Sequence, residues 1–216
     1  IRLAKIDTAI VLLYPFLDDQ LALLVKNSVE LTISNIINLK SVLNYSHKNQ
    51  KKEIKVHLSF SIGIDSDGME FEELIQYIPR LLKTKNLVIE GVCGVLSNDN
   101  PSRTTIGLQA EKFKEVVSNL CKLGMKIKSV HLANSESVDL HPNCLKGIEK
   151  IDISIVPYVR LGRWLYGTYI PKSKRIGKLV PILDIVVARV IQVKKLEPNR
   201  SVGYFGLYKT KIREYI

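Results

Sequence analysis

The sequence predicts a parallel α/β fold followed by the start of a β-domain. Three observations carry that reading. Six apolar, β-rich runs recur with helical patterns between them. Most of the runs read as continuous rather than alternating, as expected of parallel strands covered on both faces. After Lys178 the helical patterns stop and strand-like runs follow one another. A doubly wound sheet and three-quarters of a barrel both accommodate six right-handed βα units. Neither a glycine-rich dinucleotide fingerprint nor a P-loop follows any strand.

Strands are expected over residues 9–14, 31–33, 54–60, 87–92, 127–132 and 151–156. Between them, 18–25 is apolar at helical spacing, and 35–45 follows Ser34 as its cap. Residues 71–82 place apolar side chains at 71, 74, 75, 78, 81 and 82, one helical face. The 109–123 run is amphipathic and stops before Gly124, a residue suited to the left-handed turn past a helix end. A shorter helix over 137–148 is interrupted by Pro142. Beyond Lys178, 179–195 reads as a strand, Pro198-Asn199-Arg200 as a turn and 201–209 as a returning strand. The boundary is placed in the polar stretch 171–178, giving an α/β domain over 1–176 and the beginning of a β-domain over 177–216.

Composition narrows the function. The net charge is +11, but the basic clusters Lys51-Lys52 and Lys172 to Arg175 are short and not interleaved with aromatics. Nucleic-acid binding therefore has only the charge behind it. The three cysteines show no C-x-x-C spacing, which fits a reducing, cytoplasmic setting. The four histidines are scattered, so no metal site is expected. No apolar run reaches the length of a membrane span. Residue 1 is Ile rather than Met, so a longer parent chain is expected.

Two motifs carry chemistry. His131-Leu132-Ala133-Asn134-Ser135 closes the fifth strand run. Val159-Arg160-Leu161-Gly162-Arg163-Trp164-Leu165-Tyr166-Gly167 follows the sixth. Barrels bind ligands at the carboxyl ends of their strands, with phosphate commonly held by the last two loops. Ser135 offers a hydroxyl and Asn134 an amide, and Gly162 leaves its backbone N–H open to approach. A helix opening at Gly162 would attract an anion to its N-terminus. Each signal has a plainer reading. Asn134-Ser135 alone is what a helix cap looks like, Arg160 alone a paired surface residue, Gly162 alone a turn.

Taken together, His-Leu-Ala-Asn-Ser and Val-Arg-x-Gly-x-x-Leu-Tyr-Gly resemble the alanine racemase family. Leu87 to Gly91 resembles the family's sixth strand, and Gln109 and Phe113 lie in a helix after it as in the family. Residues 181–195 and Val202 to Tyr208 resemble its β-domain. The resemblance implies a partial (β/α)8 TIM barrel, strands three to eight, followed by the start of a C-terminal β-domain. It implies pyridoxal 5′-phosphate as cofactor, with the phosphate held by Ser135, Gly162 and the backbone of Arg163, and Asn134 beside them. It places Arg160 against the pyridine nitrogen. A guanidinium keeps its proton near neutral pH and so donates to an unprotonated ring nitrogen. The implied substrate is alanine, supplying D-alanine for peptidoglycan, and the implied assembly a homodimer.

The family's two catalytic bases are a lysine that binds the cofactor covalently and a tyrosine of the partner subunit. Neither is assigned to a residue here, and Tyr166, Tyr204 and Tyr208 are not placed in that role. Four internal positions depart from the family. Ser59 and Ser66 stand where it has lysine and arginine, although Gly63 and Gly68 match. Gly94-Val95 stands where it has Thr-His, removing a histidine expected to support Arg160. The expectation is thus a fragment of a pyridoxal phosphate-dependent amino-acid racemase. Its alternative is a cofactor-binding or structural homologue that lost the chemistry.

Overall fold

The structure, a computed structural model, describes residues 2–63, 68–96, 103–169, 171–173, 193–202 and 208–215. The chain divides into two compact units, Ile1–Ile182 and Leu183–Ile216. The boundary expected between 176 and 177 lies outside the described residues, as does Ser66.

In the first unit, six parallel strands pair in sequence order. They are β1 (Ile10–Leu12), β2 (Val29–Ile33), β3 (Ile54–Phe60), β4 (Leu87–Gly94), β5 (Ser129–Asn134) and β6 (Val156–Arg160). The helices between and after them are α1 (Asp18–Lys26), α2 (Ile36–Lys48), α3 (Phe71–Ile75), α4 (Ile78–Lys83), α5 (Arg103–Lys122) and α6 (Ser135–Leu140). A doubly wound sheet reverses its strand order at a switch point. This one never does, so the sheet is a barrel wall and the fold a partial (β/α)8 barrel.

Strands β2, β3 and β5 alternate between apolar and polar side chains, contrary to the expectation of continuous apolar runs. In β3, Ile54, Val56, Leu58 and Phe60 are buried in the core with Leu39, Leu43, Leu74 and Phe113 of the helices. The intervening Lys55, His57 and Ser59 belong to the other face. The same alternation separates Leu31 and Ile33 from Glu30 and Thr32, and Val130 and Leu132 from Ser129 and His131. That second face lines an open groove of about 1090 Å³ that includes Glu30, His57, Ser129, His131, Tyr158 and Arg160. One face of the sheet thus makes the core, and the other gathers the polar side chains.

Local chemistry explains where the helices depart from expectation. Asn35, not Ser34, caps α2, its side chain accepting from the Asn38 N–H at 2.8 Å. The expected 71–82 helix is two helices, because Pro79 lacks the N–H that would bond the Ile75 carbonyl. Gly124 ends α5 as expected: at φ +86° it closes the paired bonds Met125 N–H to Leu120 O and Gly124 N–H to Cys121 O. The last strand begins at Val156 rather than Ile151. The Asp152 carboxylate accepts from the Ser154 N–H and hydroxyl, holding a turn there, and the ladder starts where Val156 N–H meets Lys128 O.

In the second unit, β7 (Lys195–Leu196) pairs antiparallel with β10 (Glu214–Tyr215), and β8 (Ser201–Val202) with β9 (Tyr208–Lys209). The expected strand over 201–209 is therefore two strands paired with each other. The expected turn is present, with Asn199 at φ +65°. Thr210 ties it down: its hydroxyl donates to Glu197 O and accepts from Arg200 N–H, both at 2.8 Å. Of the expected 179–195 strand, residues 179–192 lie outside the described residues, and Lys195 begins β7.

Candidate functional site

The two motifs meet at the carboxyl ends of β5 and β6, where Asn134 pairs with Arg160 in the ladder. Both loops therefore leave neighbouring strands at the same end of the sheet. Asn134 caps α6. Its Oδ1 accepts from Glu136 N–H (3.1 Å), Ser137 N–H (3.0 Å) and the Ser137 hydroxyl (3.1 Å). Its oxygen is thus occupied within the chain, and Ser135 becomes the buried first residue of the helix. Gly162 does not open a regular helix. A single turn runs from its carbonyl, which accepts from Tyr166 N–H. The turn closes because Gly167, at φ +67°, lets Thr168 N–H reach Arg163 O and Gly167 N–H reach Trp164 O. The Gly162 and Arg163 N–H groups make no hydrogen bond to a described residue. A Cβ on Gly162 would meet nothing within 4 Å, so the approach there is open.

Arg160 is the half-buried last residue of β6. Its Nη1 donates to His131 Nδ1 at 2.9 Å and its Nη2 to Gly94 O at 2.5 Å. The support expected from a histidine at position 95 thus comes from His131 and the Gly94 carbonyl. Behind His131 lie His57 and Glu30, which sequence reasoning missed. His131 Nε2 is 3.0 Å from His57 Nδ1, and His57 Nε2 is 2.8 Å from Glu30 Oε2. Burial, with help from the neighbouring Arg160 guanidinium, pushes the His131 imidazole down to about 3, so it is neutral near pH 7.

Beyond the Gly162 turn, a buried carboxylate anchors the chain. Asp139 of α6 accepts from the Tyr169 hydroxyl (2.8 Å), Lys172 N–H (2.6 Å) and Ser173 N–H (3.0 Å). Burial alone would raise the Asp139 pKa, but these partners outweigh it and hold the carboxyl at about 2. The Tyr169 ring stacks on Trp164 at 6.1 Å and lies under the Arg163 guanidinium at 5.3 Å. The helix that opens with Ser135 thereby holds the segment that follows Arg163. Among the described residues no cluster of His, Cys, Asp and Glu is placed to hold a metal, and no helix is long and apolar enough to cross a membrane.

Fold and site together define a barrel protein whose polar groups converge at the carboxyl ends of its strands. The sequence profile of the alanine racemase N-terminal domain matches residues 1–170. The chain belongs to the alanine racemase family. It is 32% identical to an alanine racemase of Carboxydothermus hydrogenoformans over 163 residues, 74% of this chain and 41% of that protein. It is 27% identical to an alanine racemase of Clostridium tetani over 216 residues, 98% of this chain and 52% of that one. An alanine racemase structure from Clostridium difficile matches with a TM-score of 0.65 at 23% identity, covering 99% of this chain and 54% of that one, a likeness of fold. The chain spans about half the length of the relatives it matches.

Proposed function

We propose that the strand-end site holds pyridoxal 5′-phosphate, and that the whole protein is a cytoplasmic, homodimeric amino-acid racemase acting on alanine. The pairing of Asn134 with Arg160 carries this reading, because it brings the Ser135 and Gly162 loops to one end of two adjacent strands. The residues present fit the group. The Ser135 hydroxyl and the N–H groups of Gly162 and Arg163 suit a phosphate, and Asn134 fixes the helix that presents Ser135. Arg160 is donor-only and already held on two sides, which suits an unprotonated pyridine nitrogen. When bound, the cofactor supplies the electron sink that loosens the α-proton of an amino acid. An arginine partner leaves that sink weaker than a carboxylate partner would, favouring simple return of the proton over side reactions.

A second reading has its own support. Ser59, buried in β3, and Val95 stand where the family has a lysine and a histidine. A homologue that binds the cofactor without turnover would tolerate both. The two readings part on D-alanine formation by the full-length protein given L-alanine and cofactor, read by chiral chromatography. Cofactor-dependent D-alanine supports the racemase, and its absence from a folded, cofactor-loaded dimer the non-catalytic homologue. The 216-residue chain by itself is expected to form none, since a missing acid–base group typically costs about 10²–10⁴-fold in rate.

The site itself is tested with pyridoxine 5′-phosphate, which has no aldehyde and so does not attach to surface lysines. Hydrogen bonds to charged groups contribute about 1.5–3 kcal/mol. Arg160→Ala and Ser135→Ala are each expected to weaken binding about tenfold or more. Unchanged affinity in both variants rejects the assignment.

A further inference from the structure

We propose that Glu30 and His57 are positioning residues for Arg160, joined to it through His131 by a chain of hydrogen bonds that runs in one direction only. The direction follows from the two ends. Arginine can only donate and an ionised carboxylate can only accept. Arg160 Nη1 donates to His131 Nδ1, so the single proton of a neutral His131 sits on Nε2. That proton points at His57 Nδ1, 3.0 Å away, which must therefore accept. The His57 proton is then on Nε2, facing Glu30 Oε2 at 2.8 Å. Any other placement sets two N–H groups, or two lone pairs, against each other.

The sheet is shaped to hold this chain. The β3–β4 ladder shifts register between Val56 and His57, so that Gly91 stands beside His57. A Cβ at Gly91 would lie 2.3 Å from His57 Nδ1 and 2.7 Å from the Ser129 hydroxyl. Only glycine leaves the ring its place. The two imidazoles meet edge to face, with centroids 4.9 Å apart. The charged groups around the chain are Lys55, which reaches both Glu30 (3.8 Å) and Glu90 (3.4 Å), and Lys128, paired with Glu90 at 2.8 Å. Glu30 is thus the remote counter-charge of Arg160, with two neutral rings between them. The low pKa of His131 agrees with a ring that carries one proton. With Nη1 on His131 and Nη2 on Gly94 O, the guanidinium is fixed in rotation. Its Nε makes no hydrogen bond to a described residue and is left for the ligand. That last step rests on the cofactor reading above, whereas the hydrogen-bond chain does not.

The test uses the 216-residue chain labelled with ¹⁵N-histidine, without ligand. Long-range ¹H–¹⁵N correlations report which ring nitrogen carries the proton, and His57→Gln and His131→Gln assign the signals. Both rings are expected to carry the proton on Nε2 near neutral pH. Glu30→Leu should shift the signals of His57 and also of His131, whereas Glu30→Gln, which keeps an acceptor oxygen, should largely restore them. A proton on His131 Nδ1 overturns the proposal. So does a Glu30→Leu change that moves His57 alone. If Glu30→Leu does not fold, the unmodified chain and Glu30→Gln decide the protonation pattern. Affinity for pyridoxine 5′-phosphate is the second readout, expected to fall several-fold in Glu30→Leu and to recover in Glu30→Gln. The predicted protonation pattern without ligand binding rejects the cofactor reading and leaves the chain standing. Tight binding that ignores Glu30→Leu rejects the positioning role.

Discussion

At the scale of residues, Arg160 and Asp139 do the same kind of work from opposite charges. Each is held by several partners in a fixed geometry, and each fixes a loop of the site. Arginine's planar fork matters here, because Nη1 and Nη2 bond in different directions at once. Arg160→Lys keeps the charge but loses the fork. It is expected to weaken pyridoxine 5′-phosphate binding nearly as much as Arg160→Ala, and a parallel titration of the two variants checks this. Arg160, Ser135 and Gly162 were legible in the sequence because they sit in two contiguous motifs. Glu30 and His57 were not. They are 27 residues apart in sequence, and His57 and His131 are 74 apart. Only the parallel pairing of β2, β3, β4 and β5 brings them together. The signal that was available is the alternation in Ile54-Lys55-Val56-His57-Leu58-Ser59-Phe60, which marks His57 as a groove-facing residue.

At the scale of elements, glycines decide where the backbone turns and where side chains fit. Gly91→Ala drives a methyl group into the His57 ring, and overpacking of this kind costs about 1–3 kcal/mol. A Cβ at Gly107, in α5, would meet nothing within 4 Å. Gly107→Ala should therefore stabilise by about 0.5–1 kcal/mol through helix propensity. Urea denaturation of the two variants tests the pair, with opposite signs expected. The element boundaries show what sequence reading resolves. The 54–60 strand and the end of α5 at Gly124 were legible, since one is bounded by turn residues and the other has its own stop signal. The start of β6 was not, because Ile151, Ile153 and Ile155 have strand character. Asp152 holds that stretch in a turn through a bond to Ser154 that periodicity does not register.

At the scale of the molecule, the two faces of one sheet divide structure from function. The helix-covered face is apolar, and the groove face holds a polar network that titrates on acidification. The pKa of His131 in the fold lies below its ordinary 6.5, at about 3. Its contribution to stability is complete above 6.5 and is lost as pH falls through that interval. Asp139 is likewise depressed, from 3.8 to about 2, so its contribution fails only at lower pH. The urea midpoint should therefore begin to fall below about pH 6.5, before the carboxylates titrate. His131→Asn should flatten that first decline, and an unchanged slope contradicts it. The barrel order was legible from the succession of βα units together with the family motifs. The polar character of its inner face was not, because the runs were read as continuous. Cofactor binding at the strand ends requires that the loops after β5 and β6 form one anion site at the carboxyl end of the sheet. Backbone amide spectra of the ¹⁵N-labelled chain, titrated in parallel with pyridoxine 5′-phosphate and with pyridoxine, test it most directly. The phosphate ester is expected to shift the amides of Ser135, Gly162 and Arg163 together, at one affinity, and pyridoxine to leave them nearly still. Equal shifts from both compounds, or shifts that spare these three amides, contradict it.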